Sequence, residues 1–161
     1  MSPALGTIPS NRLFPFELEF VLASDVSTGA NTTPVDLPGF AFNLDANSQY
    51  VLELFGAMQS PANTTGYGLQ VNLTLGQPRM QFNHQLANTG TLSGGSSFLD
   101  DTSAGVSSGV PTNATDVPFY ASGVIVEAGF VDSAQLRLRS ETTAVATMKA
   151  GTVLRVRKVG N

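Results

Sequence analysis

The sequence has no cysteine, which excludes disulfides and thiolate metal sites and leaves stability to packing or assembly. Tryptophan is also absent and tyrosine occurs three times, so the shallow aromatic platform of a carbohydrate-binding module is poorly supplied. A single histidine, His84, leaves little for a transition-metal site. It shares a strand face with Met80 and Phe82, which reads as a structural side chain. Charged residues make up only 12% of the chain, about half the roughly 25% of an average globular domain. The net charge of -4 argues against nonspecific nucleic-acid binding, which needs a basic footprint. No run approaches the roughly 18 apolar residues of a membrane span. The start, Met1-Ser2-Pro3-Ala4-Leu5, lacks the basic segment and apolar stretch of a signal peptide. The expectation is therefore no membrane partner and no nucleic acid.

What remains is a chain of 161 residues, 42% apolar and rich in Thr, Ser, Asn and Gly. That length suits one domain with a real core and a short extra arm. The composition suits an all-β surface, or one covered by partners. Six of the eight basic residues lie from Arg137 onward. Arg137, Arg139, Arg155 and Arg157 share alternation phase within their own strands, as on a solvated strand face. Asn-x-Thr sequons at Asn31, Asn63, Asn72 and Asn113 are what chance gives in such a chain and carry little weight.

Residues 1–13, with Pro3, Gly6 and Pro9, have no periodicity and read as an extended arm. The remainder, 14–161, reads as one β-sandwich. From Phe14 to Leu22 the even positions are apolar while Glu17 and Glu19 interleave, which predicts a strand. Pro38-Gly39 signals a turn before the alternating Phe40 to Leu44. Tyr50 to Met58 is apolar in both phases. A sandwich hides one face of each sheet, so a strand apolar on both faces implies a second cover, most simply another subunit. Leu69, Val71, Leu73 and Leu75 alternate cleanly, as do Met80, Phe82, His84 and Leu86. Residues 88–118 have little pattern and are too long for an ordinary connection, so they hide short strands or form a working loop. Strands are then expected at Val124 to Ala128, Leu136 to Arg139, Val145 to Met148 and Val153 to Val159, with turns at Ser140 to Thr143 and Ala150-Gly151. No stretch has a convincing helical period. The fold class expected is an all-β, jelly-roll-like antiparallel β-sandwich with a short extended N-terminal arm.

Chemistry is sparse. Gly105-Val106-Ser107-Ser108-Gly109 fits the nucleophile-elbow pattern, but that motif needs a flanking helix and a later histidine, and His84 comes before it. Asp100-Asp101 lacks the ligand spacing of a calcium loop. No Gly-rich phosphate loop opens a helix. No enzyme activity, catalytic residue, metal site or cofactor is expected.

Several segments arrive in a familiar order: Val21-Leu22-Ala23-Ser24-Asp25-Val26, Leu37-Pro38-Gly39-Phe40-Ala41-Phe42, and Asn47-Ser48-Gln49-Tyr50-Val51-Leu52-Glu53-Leu54. Asn63-Thr64-Thr65-Gly66, Gln135-Leu136-Arg137-Leu138-Arg139 and Ala150-Gly151-Thr152-Val153-Leu154-Arg155-Val156 follow. Together they resemble a β-sandwich domain of tailed-bacteriophage virion proteins, found in head-decoration proteins and at the ends of tail fibres. Such domains are similar to the trimeric tumour-necrosis-factor/C1q jelly rolls. The likeness spans roughly residues 20–159 and rests on strand patterns.

The resemblance implies a homotrimer. Tyr50, Leu52, Leu54, Val124 and Val126 are the residues expected at its interface. A free-standing domain with a short arm suits a decoration or cement protein on the outer surface of a phage head, bridging coat subunits, with the major capsid protein as partner. Leu5, Ile8, Arg12, Leu13 and Phe14 are the expected capsid anchors. The alternative is a tail, baseplate or fibre-tip protein that contacts the host surface and binds carbohydrate there.

Overall fold

The computed structural model describes residues 17–61, 65–73, 79–87, 92–99, 105–106, 115–126, 129 and 131–160, with backbone alone for the strands between 79 and 106. The described residues contain strands and no helix. In chain order these are β1 (Glu17–Val21), β2 (Val26–Ser27), β3 (Val35–Leu44), β4 (Gln49–Gln59), β5 (Tyr67–Leu73) and β6 (Arg79–Ala87). There follow β7 (Leu92–Leu99), β8 (Gly105–Val106), β9 (Val117–Val126), β10 (Asp132–Ser140), β11 (Thr147–Met148) and β12 (Val153–Gly160).

They form two antiparallel sheets. The larger runs β1-β12-β4-β9-β6-β7, with β2 and β11 attached at one end of β4; the smaller runs β3-β10-β5-β8. Without the β2/β11 and β6/β7 pairs, eight strands remain: β1, β3, β4, β5, β8, β9, β10 and β12. Ranked along the chain, they fall 1-8-3-6 in one sheet and 2-7-4-5 in the other. That alternation between sheets is the connectivity of a jelly roll. The β6–β7 hairpin is an insertion between the fourth and fifth core strands, and it extends the larger sheet past β9. Among its described residues, the long patternless stretch 88–118 holds β7, β8 and the start of β9.

Period-2 alternation builds the core. Tyr50, Leu52, Leu54 and Met58 of β4 face inward with Phe119, Ala121 and Ile125 of β9, and Leu154 and Val156 of β12. Opposite them lie Phe40, Phe42 and Leu44 of β3, Leu69, Val71 and Leu73 of β5, and Leu136 and Leu138 of β10. Two aromatic pairs cross between the sheets: Phe20 on Phe42 at 6.3 Å and Tyr67 edge-on to Phe119 at 5.6 Å.

Pro38-Gly39 does not end a strand, as the sequence suggests, because β3 continues through it as a bulge. Its pairing with β10 slips between Gln135 and Arg137, whose partners are Ala41 and Asp36. Proline supplies no ladder N–H, and Gly39 takes a φ of 80°, so the ladder breaks there. The Gln135 side-chain amide repairs the loss by donating to the carbonyls of Leu37 at 2.9 Å and Phe40 at 3.4 Å. The extra residues reset the phase, and Leu37 and Phe40 both end up fully buried.

Candidate interaction surface

The strands of the larger sheet place their second set of side chains on the face turned away from the core. Register aligns these into rows. Glu17, Arg157, Val51 and Val124 form one; Glu19, Arg155, Glu53 and Ser122 form the next; Val21, Val153, Phe55 and Tyr120 form a third. A charged row is thus flanked by rows carrying most of the apolar groups. Three of the five exposed large apolar side chains among the described residues lie here: Val21 at 57%, Tyr120 at 41% and Val124 at 41%.

The middle row of this face is paired within one chain. Arg155 Nε donates to Glu19 Oε2 at 2.8 Å, and the guanidinium lies 5.1 Å from the Phe55 ring centroid. Its hydrogen bond to Glu19, then the charges of Glu19, Glu17 and Glu53, hold it above the ordinary arginine value despite some desolvation. Tyr120 donates its hydroxyl to Glu53 Oε1 at 3.3 Å. Charges already satisfied locally cost less to cover than free ones, so the face combines apolar contact area with low desolvation cost.

The outer face of the smaller sheet is different. Asp36, Asn43, Ser133, Gln135 and Arg137 dominate it, with Arg137 Nε bonded to Asp36 at 2.5 Å. The two ends of the sandwich differ as well. At the end holding the β4–β5 and β10–β12 connections, polar side chains tie the loops together. Lys149 pairs with Asp25, which also accepts from the Ala150 N–H at 2.8 Å. Both contacts hold the Asp25 carboxyl below its ordinary value, the Lys149 hydrogen bond most. Thr65 and Thr142 share a 3.0 Å hydrogen bond, and the Gly66 N–H donates to Glu141 at 2.8 Å. The opposite end, where β1 begins and β12 finishes, carries the other two exposed large apolar side chains, Val131 at 66% and Val159 at 47%.

Of the five residues expected at a trimer interface, Val124 and Val126 lie in the outward phase of β9. Tyr50, Leu52 and Leu54 do not: they are buried between the sheets and have no surface left for a second copy. The outward phase of β4 is Val51, Glu53, Phe55 and Ala57, half-buried under neighbours such as Arg155. The signal that separates the phases was present: one contains Glu53, and a carboxylate does not enter a sandwich core unpaired. Leu5, Ile8, Arg12, Leu13 and Phe14 lie outside the described residues, as do Asp100, Asp101 and Ser107 to Gly109. His84 is described by register alone, opposite Ala121 and Gly95. Among the described residues no group of three or more His, Asp or Glu could hold a metal ion.

No protein-family model and no curated protein matches the chain. Among solved structures it is similar to the infectious bursal disease virus VP2 subviral particle, at 13% identity and a TM-score of 0.26, over 98% of this chain and 44% of that one. The Gx strain of that virus gives 15% identity and a TM-score of 0.24, over 99% and 45%. The Clostridium thermocellum N-terminal endo-1,4-beta-D-xylanase 10B (CBM22-1-GH10 modules, complexed with xylohexaose) gives 9% and 0.27, over 88% and 27%. The chain spans less than half the length of each of these structures.

Proposed function

We infer that this chain is a structural protein of a virus particle, one that works by assembling. Three copies pack through the outer face of the larger sheet, and the trimer decorates and stabilises a tailed-phage head by bridging coat subunits. The observation that carries this reading is the contrast between the two outer faces. Along β3 and β10 one sheet presents the polar Asp36, Asn43 and Ser133 to water, while the other presents Val21, Phe55, Tyr120, Val124 and Val153 around the Arg155–Glu19 pair. Exposed apolar area organised in this way marks a protein–protein contact. The jelly-roll connectivity and the segment order from Val21 to Val156 support the trimeric virion family as its setting. In a threefold ring one part of this face on each copy meets a different part on the next, so the heterologous contact closes after three copies and leaves no sticky surface over.

Sedimentation equilibrium tests the first half: the mass should be three times the 16.8 kDa of one chain. Incubation with heads prepared without this protein tests the second. Saturation at many copies per head supports decoration, whereas binding of a few copies at the tail supports the host-contacting appendage. Deleting residues 1–12 should abolish head binding and leave the trimer intact. Full decoration by the truncated trimer would remove the arm from the account.

A further inference from the structure

On the outer face of the larger sheet, Arg155 stands in the charged row between the two rows that carry most of the apolar groups. From β1 it is approached by Glu17 and Glu19, from β4 by Glu53, and on its own strand Arg157 follows two residues on. Its Nε donates to Glu19 Oε2 at 2.8 Å, and its guanidinium lies over the Phe55 ring. Glu53 accepts from the hydroxyl of Tyr120, on β9, at 3.3 Å. Three carboxylates thus stand against two guanidiniums, with Val51 and Val124 on one side of the row and Val21, Phe55 and Tyr120 on the other. The two signs respond differently to pH. Carboxylates lose their charge in acid, whereas arginine keeps its own. The hydrogen bond to Glu19, then the charges of Glu19, Glu17 and Glu53, favour the charged guanidinium.

We propose that assembly through this face is switched off by acid: when Glu19 and Glu53 take up protons, the Arg155 guanidinium is left unpaired in the covered interface and the copies separate. This rests on the trimer reading above and adds the regulation of the same surface. While Glu19 and Glu53 are ionised, covering the row encloses a matched cluster, which costs far less than enclosing a lone ion. Once they are neutral, the same contact must desolvate a guanidinium without a counter-charge in every copy. A separated chain keeps Arg155 in water and avoids that cost. The separated form therefore takes up more protons than the assembled one, and by linkage assembly weakens as pH falls.

Sedimentation equilibrium across pH tests this. At neutral pH the parent protein should sediment at three times the 16.8 kDa of one chain. At about pH 3.5, below the ordinary glutamate value of roughly 4.3, it should sediment as a single chain with its far-ultraviolet circular dichroism unchanged. Glu19→Gln with Glu53→Gln removes both charges without acid, and this double variant should already be a single folded chain at neutral pH. Arg155→Met should reverse the dependence. At neutral pH its carboxylates lack their counter-charge and it should associate less than the parent, whereas protonation should restore the trimer. Parent trimers that persist in acid, or a double variant that stays trimeric at neutral pH, overturn the switch and leave the trimer reading standing. Arg155→Met that dissociates in acid as the parent does overturns it too, because the charge driving separation then lies elsewhere. Should acid unfold the sandwich, the double variant at neutral pH decides alone. A parent that sediments as a single chain at neutral pH overturns the trimer reading and the switch together.

Discussion

Gly56 leaves no room for a side chain. It sits inside β4, and a Cβ built there would meet Thr152 Oγ1 at 2.2 Å, Cβ at 2.7 Å and Cα at 2.9 Å. Thr152 cannot step aside. Its hydroxyl donates to the Lys149 carbonyl at 2.8 Å, and its own carbonyl accepts from the Leu22 N–H at 2.8 Å. Gly56→Ala should therefore cost about 1–3 kcal/mol, the range for overpacked interiors, read as a lower urea midpoint. Thr152→Gly, which removes Oγ1 and Cβ, should not fully rescue it, because the backbone Cα at 2.9 Å is among the clashing atoms; full rescue would mean that only the side chain is in the way. Asp25 offers a test in pH. Lys149 and the Ala150 N–H depress its carboxyl below 3.8 in the folded protein. Its contribution is therefore complete above that unfolded value and is lost as pH falls through the lower folded one. Asp25→Asn should unfold more easily than the parent at neutral pH, and the two should converge below pH 3.8. A gap that persists into strong acid would mean the carboxylate charge is not what stabilises the turn.

At the scale of elements, β4 separates what the sequence made legible from what it hid. Its existence and length follow from the apolar run Tyr50 to Met58, and the alternating strands Leu69 to Leu73, Met80 to Leu86 and Val153 to Val159 are found where period 2 places them. Which phase of β4 points inward is harder, because both are apolar; only Glu53 marks the outer one. Pro38-Gly39 reads locally as a turn, and its use as a bulge depends on Gln135 of β10, almost a hundred residues later. Strands β7 and β8 are built around Gly and Ser, with Leu92, Phe98, Leu99 and Val106 in no alternating pattern, so their pairing is set by neighbours and not by their own pattern. The two phases of β4 should answer to different measurements. Leu54→Ala should destabilise each sandwich by about 2–5 kcal/mol, as for a leucine lost from a close-packed core. Phe55→Ser should leave chain stability at low concentration nearly unchanged and weaken assembly. If Leu54→Ala acts only on assembly, the inner and outer phases have been exchanged.

The whole molecule depends on whether its greasy face is covered. An uncovered sheet carrying Val21, Tyr120 and Val124 would invite nonspecific association, whereas a closed ring of three uses that area once and ends growth. Assembly that is linked to folding makes the unfolding temperature depend on protein concentration, because dissociated copies feed the unfolded pool. The parent protein should accordingly melt higher as concentration rises over a range of about a hundredfold. Val124→Arg places three guanidinium groups against apolar surface with no partner to pair them, which a buried interface does not tolerate. That variant should sediment at the 16.8 kDa of one chain and melt at a temperature independent of concentration. Asn43→Arg, on the polar face of the smaller sheet, should change neither. Should Asn43→Arg dissociate the protein and Val124→Arg leave it whole, the subunits meet through the other sheet. If both variants and the parent sediment as single chains, the exposed apolar rows serve something other than self-assembly.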